Sequence, residues 1–90
     1  MYEKTTMIRN RSGLHARPAS DFIGCTRNFQ SKIWIRRPGE TEKSNAKSIV
    51  VLLTLGFCQG DEVAISAEGE DEKEAVDSLI ALIETGFGEV

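Results

Sequence analysis

Ninety residues are expected to form one domain spanning 1–90, a unit small enough to bury only about 60–65% of its unfolded surface. Eleven Lys and Arg against 14 Asp and Glu leave a formal charge of −3, which disfavours nucleic acid as a direct partner because a phosphate backbone calls for a basic surface. With 40% hydrophobic and 28% charged residues the chain reads as globular. No apolar run approaches the roughly 18 residues that span a bilayer, and two cysteines build neither a disulfide framework nor a zinc cluster. The N-terminal residues Met1 to Thr6 carry no apolar signal core, so the expectation is a reduced, cytoplasmic protein without membrane insertion.

In chain order, residues 2–9 mix Tyr2, Thr5, Thr6, Met7 and Ile8 with charges and predict a short half-buried strand. Asn10-Arg11-Ser12-Gly13 is turn chemistry. Pro18 is tolerated in the first turn of a helix, and Ala19, Phe22 and Ile23 at helical spacing carry that helix from near Ala16 to about Asn28. From Ser31 to Arg37 a second strand places Ile33 and Ile35 on one face and Lys32, Trp34 and Arg36 on the other, with Trp34 on the open side of the sheet. Pro38-Gly39 predicts a hairpin whose second arm is Glu40 to Ser44. Ser44 or Asn45 can cap a helix over about 46–55 that stops at Gly56. Val63, Ile65 and Ala67 share one face of a further strand. Asp71 and Glu74 resemble a capping box, followed by the stripe Val76, Leu79, Ile80 and Ile83 of a surface helix. The order strand, helix, strand, strand, helix, strand, helix is α+β: helices laid on one side of an antiparallel sheet in two layers.

Chemistry concentrates at the single histidine, His15. A lone histidine is ordinarily a satisfied surface side chain. This one falls between a turn and a helix, at the N-terminal mouth where free N–H groups and the positive dipole end favour an anion. Arg17 adds a fork-shaped donor set suited to phosphate oxygens. An exposed imidazole nitrogen is a nucleophile, and a phosphoryl group it accepts gains from donors oriented before transfer. Cys25 lies about 15 Å along the helix from His15, too far for a Cys-His pair, and Cys58 reads as a small buried hydrophobe. One histidine with scattered carboxylates shows no metal-ligand spacing. Ser48 in the first helical turn fits plain helix-entry chemistry and equally a phosphorylation site, whose added charge would stabilise the helix start. Ile49 to Leu53 is apolar around most of a helix, so part of it stays exposed, and Ile49, Val50 and Leu53 are candidates for partner docking.

Gly13-Leu14-His15-Ala16-Arg17-Pro18-Ala19 resembles the active-site motif of the HPr family, the histidine-containing phosphocarriers of the bacterial phosphoenolpyruvate:sugar phosphotransferase system. Lys47-Ser48-Ile49, Leu55-Gly56, Gln59-Gly60-Asp61 and Ala67 to Glu72 resemble further family segments in the same order. The resemblance implies an open-faced β-sandwich of four antiparallel strands and three helices, in a carrier with no cofactor and no turnover activity of its own. It implies that Enzyme I donates phosphoryl to Nδ1 of His15, which passes it to IIA components of sugar permeases. Arg17 would neutralise the moving group, the backbone N–H groups of Ala16 and Arg17 would complete a pocket next to Pro18, and Ser12 would line it. Ser48 matches the serine modified by HPr kinase/phosphorylase in low-GC Gram-positive bacteria, where the product is a corepressor with a catabolite-control transcription factor. Those members read Ile-Met-Gly-Val-Met after the serine, and this chain reads Ile49-Val50-Val51-Leu52-Leu53. Two alternatives stand beside the sugar carrier: a mainly regulatory protein acting through Ser48, and a carrier in a parallel, nitrogen-related relay.

Overall fold

Five consecutive buried residues, Val63 to Ala67, make one strand the centre of the sheet rather than its edge. In the computed structural model, which describes residues 1–89, the elements are β1 (Tyr2–Met7), α1 (Ala16–Thr26), β2 (Lys32–Arg36), β3 (Ser44–Asn45), α2 (Ile49–Leu55), β4 (Glu62–Glu68) and α3 (Glu72–Glu84). A short 3₁₀ turn follows at Gly86–Gly88. The sheet order is β1-β4-β2-β3, and every pairing is antiparallel. Ile65 lies opposite Ile35 on one side and Lys4 on the other. Val63, Ile65, Ala67, Ile33 and Ile35 thus form the apolar floor on which the helices bury Phe22, Ile23, Leu52, Val76, Leu79 and Ile83. This is the open-faced α+β sandwich expected, and the amphipathic stripe of α3 lies where its spacing placed it.

Val63, Ile65 and Ala67 accounted for one face of β4, yet Ala64 and Ser66 on the other face are buried too. The reason is lateral cover. Arg36 on β2 reaches over these two small side chains to Glu3 on β1, donating to its carboxylate oxygens at 2.9 and 3.1 Å. Trp34 pairs with Ser66 on this face and is partly exposed, as its alternation predicted. The Lys43 ammonium sits 3.7 Å from its ring centroid.

Several boundaries differ from the sequence reading. β1 stops at Met7 and α1 at Thr26, short of residue 9 and Asn28. The hairpin arm expected over Glu40 to Ser44 shrinks to Ser44–Asn45. Arg36 explains this, because its guanidinium donates to the carbonyls of Pro38 and Glu40 at 3.0 and 3.1 Å and so satisfies them inside the loop. With Ser44 and Asn45 taken into β3, neither caps α2, which begins at Ile49 rather than 46. Ser48 is the N-cap, its Oγ accepting from the Val51 N–H at 3.3 Å, while Gly56 ends the helix in the left-handed region as foreseen. No capping box forms at α3. Asp71 is the N-cap by position but makes no side-chain cap bond. Its carboxylate instead accepts from the backbone N–H groups of Gln30 and Ser31 at 2.9 and 3.0 Å and from the Ser31 hydroxyl, tying α3 to the α1–β2 turn. Glu72, not Glu74, reaches back, accepting from the Gly69 N–H at 3.1 Å.

Candidate functional site

The segment that carries His15 is held from below by the turn between α2 and β4. Where β1 ends, the Ile8 N–H donates to the Asp61 carbonyl at 2.9 Å, and the Gly60 N–H donates to the Ile8 carbonyl at 2.8 Å. The chain then turns over Asn10 to Gly13, closed by a bond from the Gly13 N–H to the Asn10 carbonyl at 3.2 Å. Gly13 takes φ +67°, and a Cβ there would lie 2.4 Å from the Phe57 carbonyl oxygen. Only glycine fits both the conformation and the approach. The next N–H, of Leu14, donates to that same carbonyl at 3.0 Å, and the Leu14 side chain is fully buried. Phe57 is in turn covered by the Arg37 guanidinium, 4.3 Å from its ring centroid. Asp61 accepts from the Cys58 N–H at 2.8 Å. The strands and this turn thus clamp the loop up to Leu14.

His15 follows as the N-cap of α1, with extended backbone (φ −132°, ψ 160°). Its imidazole makes no capping bond and is half-buried, so the ring is not consumed by the helix it introduces. Ala16, the first helical residue, has φ +51°, a left-handed conformation that costs an L-residue about 1–2 kcal/mol. The first turn of α1 holds no acidic residue. Its end therefore keeps the partial positive charge of unpaired N–H groups, to which Pro18 contributes none. Arg17 projects into solvent, 90% exposed, with only a 4.0 Å approach to Asp21. An exposed pair at that distance contributes little, so the guanidinium is available to an anion. His15, Ala16, Arg17 and buried Pro18 follow one another at the mouth of an 11-residue helix. Chemically, that is a nucleophile beside donors arranged before any anion arrives.

Ser12 stands differently from its expected place. Its hydroxyl donates to Glu89 Oε2 at 3.0 Å and its N–H to Oε1 at 3.3 Å, so a carboxylate of the chain's own tail already occupies both donors. Asn10, buried at 2% exposure, donates through Nδ2 to the Gly13 carbonyl at 2.9 Å and to Glu89 Oε1 at 3.1 Å. The hydrogen bonds from Asn10 and then Ser12 hold the Glu89 carboxyl below the usual glutamate range. Neither Asn10 nor Glu89 was singled out from the sequence, since Asn10 looked like ordinary turn chemistry and Glu89 lies 79 positions away. No periodicity joins them.

Ser48 lies at the start of α2, half-buried, as its N-cap. Ile49, Val50 and Leu53 are 38%, 69% and 43% exposed, leaving an uncovered apolar face, and Ile49 borders a shallow hollow lined by Ser20, Ile23, Gly24 and Arg27 of the α1 region. Cys58, expected as a buried hydrophobe, is exposed. Phe57 turns inward instead, and the Cys58 side chain is left on the outer side of the turn with its Sγ 3.4 Å from the Gly56 carbonyl. Among the described residues no helix is long and apolar enough to cross a membrane.

Known proteins resemble this chain over nearly its whole length. A phosphocarrier protein HPr from Haemophilus influenzae is 44% identical over 85 residues, covering 94% of this chain and 98% of that protein. A phosphocarrier protein NPr from Proteus mirabilis is 44% identical over 82 residues, covering 91% and 90%. The chain also matches a multiphosphoryl transfer protein of Haemophilus influenzae at 42% identity, spanning 17% of that longer protein. The crystal structure of HPr-C-His from Thermoanaerobacter tengcongensis superposes with a TM-score of 0.93 at 48% identity, covering 100% of this chain and 99% of that one. The family profile described as the PTS HPr component phosphorylation site matches residues 2–85, and the chain belongs to the HPr family of phosphocarrier proteins of the phosphotransferase system.

Proposed function

We propose that this protein carries phosphoryl groups in the sugar phosphotransferase system, taking them from phospho-Enzyme I onto Nδ1 of His15 and passing them to IIA components. The observation that carries the reading is the placement of His15: an imidazole free of capping duty at the mouth of a helix whose first turn holds no acidic residue, next to the exposed Arg17. In the transfer the Nδ1 lone pair forms an N–P bond while the donor's bond to phosphorus breaks, and its electron pair returns to the donor. Arg17 and the N–H groups of Ala16 and Arg17 balance the charge of the moving group, and Pro18 fixes the turn they stand on. The reverse exchange hands the group to the acceptor, so the protein ends unchanged. The exposed side chains of Ile49, Val50 and Leu53 suit transient protein contacts. Ser48 is a regulatory candidate, because a phosphate at the N-cap of α2 would add negative charge where the helix favours it. HPr kinase/phosphorylase and a catabolite-control transcription factor are the partners that such a modification would imply.

The test is intact mass after incubation with phosphoenolpyruvate and Enzyme I, for the wild type and His15→Ala. A single acid-labile phosphoryl group that disappears in His15→Ala supports the relay. Failure to load under conditions that charge a control carrier refutes it. A second reading, a carrier in a nitrogen-related relay, is favoured by the 44% identity to an NPr protein. Loading by an Enzyme I paralogue at a rate well above that from Enzyme I itself would select it.

A further inference from the structure

The loop leading into His15 already binds an anion, and that anion is the protein's own. Glu89 accepts from three donors of the Asn10–Gly13 turn: Asn10 Nδ2 at 3.1 Å, the Ser12 N–H at 3.3 Å and the Ser12 hydroxyl at 3.0 Å. Neighbouring carboxylates have other employment, Asp61 within its own turn and Asp21 near Arg17, so the Glu89 contact brings an added negative charge to this loop from the far end of the chain. Ser12 precedes His15 by three residues, which bounds their backbone separation at about 11 Å, comparable with the Debye length of about 8 Å at physiological salt. A phosphoryl group on His15 therefore meets the Glu89 charge incompletely screened, and it seeks donors of the kind that Glu89 holds.

The tail is built so that this contact can be made or broken without disturbing the fold. Phe87 is buried and anchors the 3₁₀ turn, and the Glu89 N–H is fixed to the Gly86 carbonyl at 2.8 Å. Only the Glu89 side chain has to rotate.

We propose that Glu89 is a positioning residue for phosphoryl transfer: its carboxylate holds the Ser12 donors while His15 is unloaded and gives them up when His15 carries phosphoryl, which makes the tail a determinant of how firmly the group is retained. The proposal rests on His15 being the phosphoryl acceptor. By reciprocity, a charge that phosphorylation expels is a charge that disfavours phosphorylation.

The decisive comparison is wild type against Glu89→Gln, which keeps size and a hydrogen-bonding oxygen but removes the charge. The equilibrium constant for phosphoryl exchange with Enzyme I is expected to move about 1.5- to twofold toward the loaded carrier, with thermal stability nearly unchanged. A role confined to structure would instead lower thermal stability and leave the exchange constant where it was, and that result overturns the proposal, as does a shift toward the unloaded form. A second measurement needs no Enzyme I. Phosphoramidate loads an imidazole directly, ammonia leaving with the electron pair of its P–N bond as the new N–P bond forms. On such loading the Glu89 carboxyl carbon resonance is expected to move to that of a solvent-exposed glutamate, and the Ser12 amide proton to lose its carboxylate-bonded shift. Unmoved resonances in the loaded protein refute the release. Movement in the phosphoramidate-loaded protein, coupled with no loading by Enzyme I, would leave the tail's role standing and remove the relay.

Discussion

Replacing Gly13 with alanine should unsettle the protein more than any other single-methyl addition near His15. The added carbon would sit 2.4 Å from the Phe57 carbonyl oxygen and 2.9 Å from the Cys58 Cα. Both are backbone atoms, so no side chain can rotate aside. The residue would also carry a left-handed φ of +67°, at about 1–2 kcal/mol for an L-residue. Relief by moving the loop outward breaks the Leu14 N–H bond to Phe57 at 3.0 Å and strands a buried donor, at about 1–3 kcal/mol. Together these place the loss near 2–5 kcal/mol, a large part of the roughly 5–15 kcal/mol that holds a domain folded. Urea unfolding followed by Trp34 fluorescence and far-UV circular dichroism measures it, with a Tm fall of about 4–8 °C per kcal/mol as a second readout. Since His15 stands two residues downstream, phosphoryl acceptance should fall even in the fraction that remains folded. A Gly13→Ala protein within about 1 kcal/mol of wild type, loading phosphoryl at the wild-type rate, would refute the claim that the α2–β4 turn sets the position of His15.

Ser48→Ala should cost about 1 kcal/mol in urea unfolding, the usual value of an N-cap bond, here from Val51 N–H to Ser48 Oγ; no change would mean that the cap is replaced by water. Ala16→Gly should stabilise the protein by about 0.5–1 kcal/mol, because relief of the left-handed strain exceeds the greater chain entropy of glycine; a destabilised variant in thermal melts would show that Ala16 is not strained. Asp71 is held below the usual aspartate range, first by the Ser31 hydroxyl and then by the Gln30 N–H. A carboxyl lowered by folding contributes stability that is present above its unfolded pKa and lost as pH falls through its folded one. Acid unfolding curves should therefore show a stability loss on this limb that is weaker in Asp71→Ala, and parallel curves would contradict the assignment.

Local chemistry accounts for most of what could be read in advance. The alternation of Ile33 and Ile35 against Trp34, the stripe from Val76 to Ile83 and the stop at Gly56 each depend on neighbours within a few residues, and they reappear in β2, α3 and the C-cap of α2. His15 at the mouth of α1 belongs to the same class, because a turn followed by a proline-containing helix start determines it. Several of the readings that failed were those in which a second group, near or distant along the chain, competed for a local one. Asp71 had an N-cap to make and took the Gln30–Ser31 turn instead, and the arm after Pro38 lost its ladder to Arg36.

The sequence alone thus determined the element types, the fold class and the place of His15 at a helix mouth, since periodicity and turn chemistry act over one or two helical turns. Tertiary structure alone decided that β4 lies between β1 and β2, that the Phe57 turn supports the His15 loop, and that Glu89 returns across the molecule to Ser12. Such contacts join residues whose separation along the chain leaves no pattern, and they exist only once burial of the common core has brought those segments together.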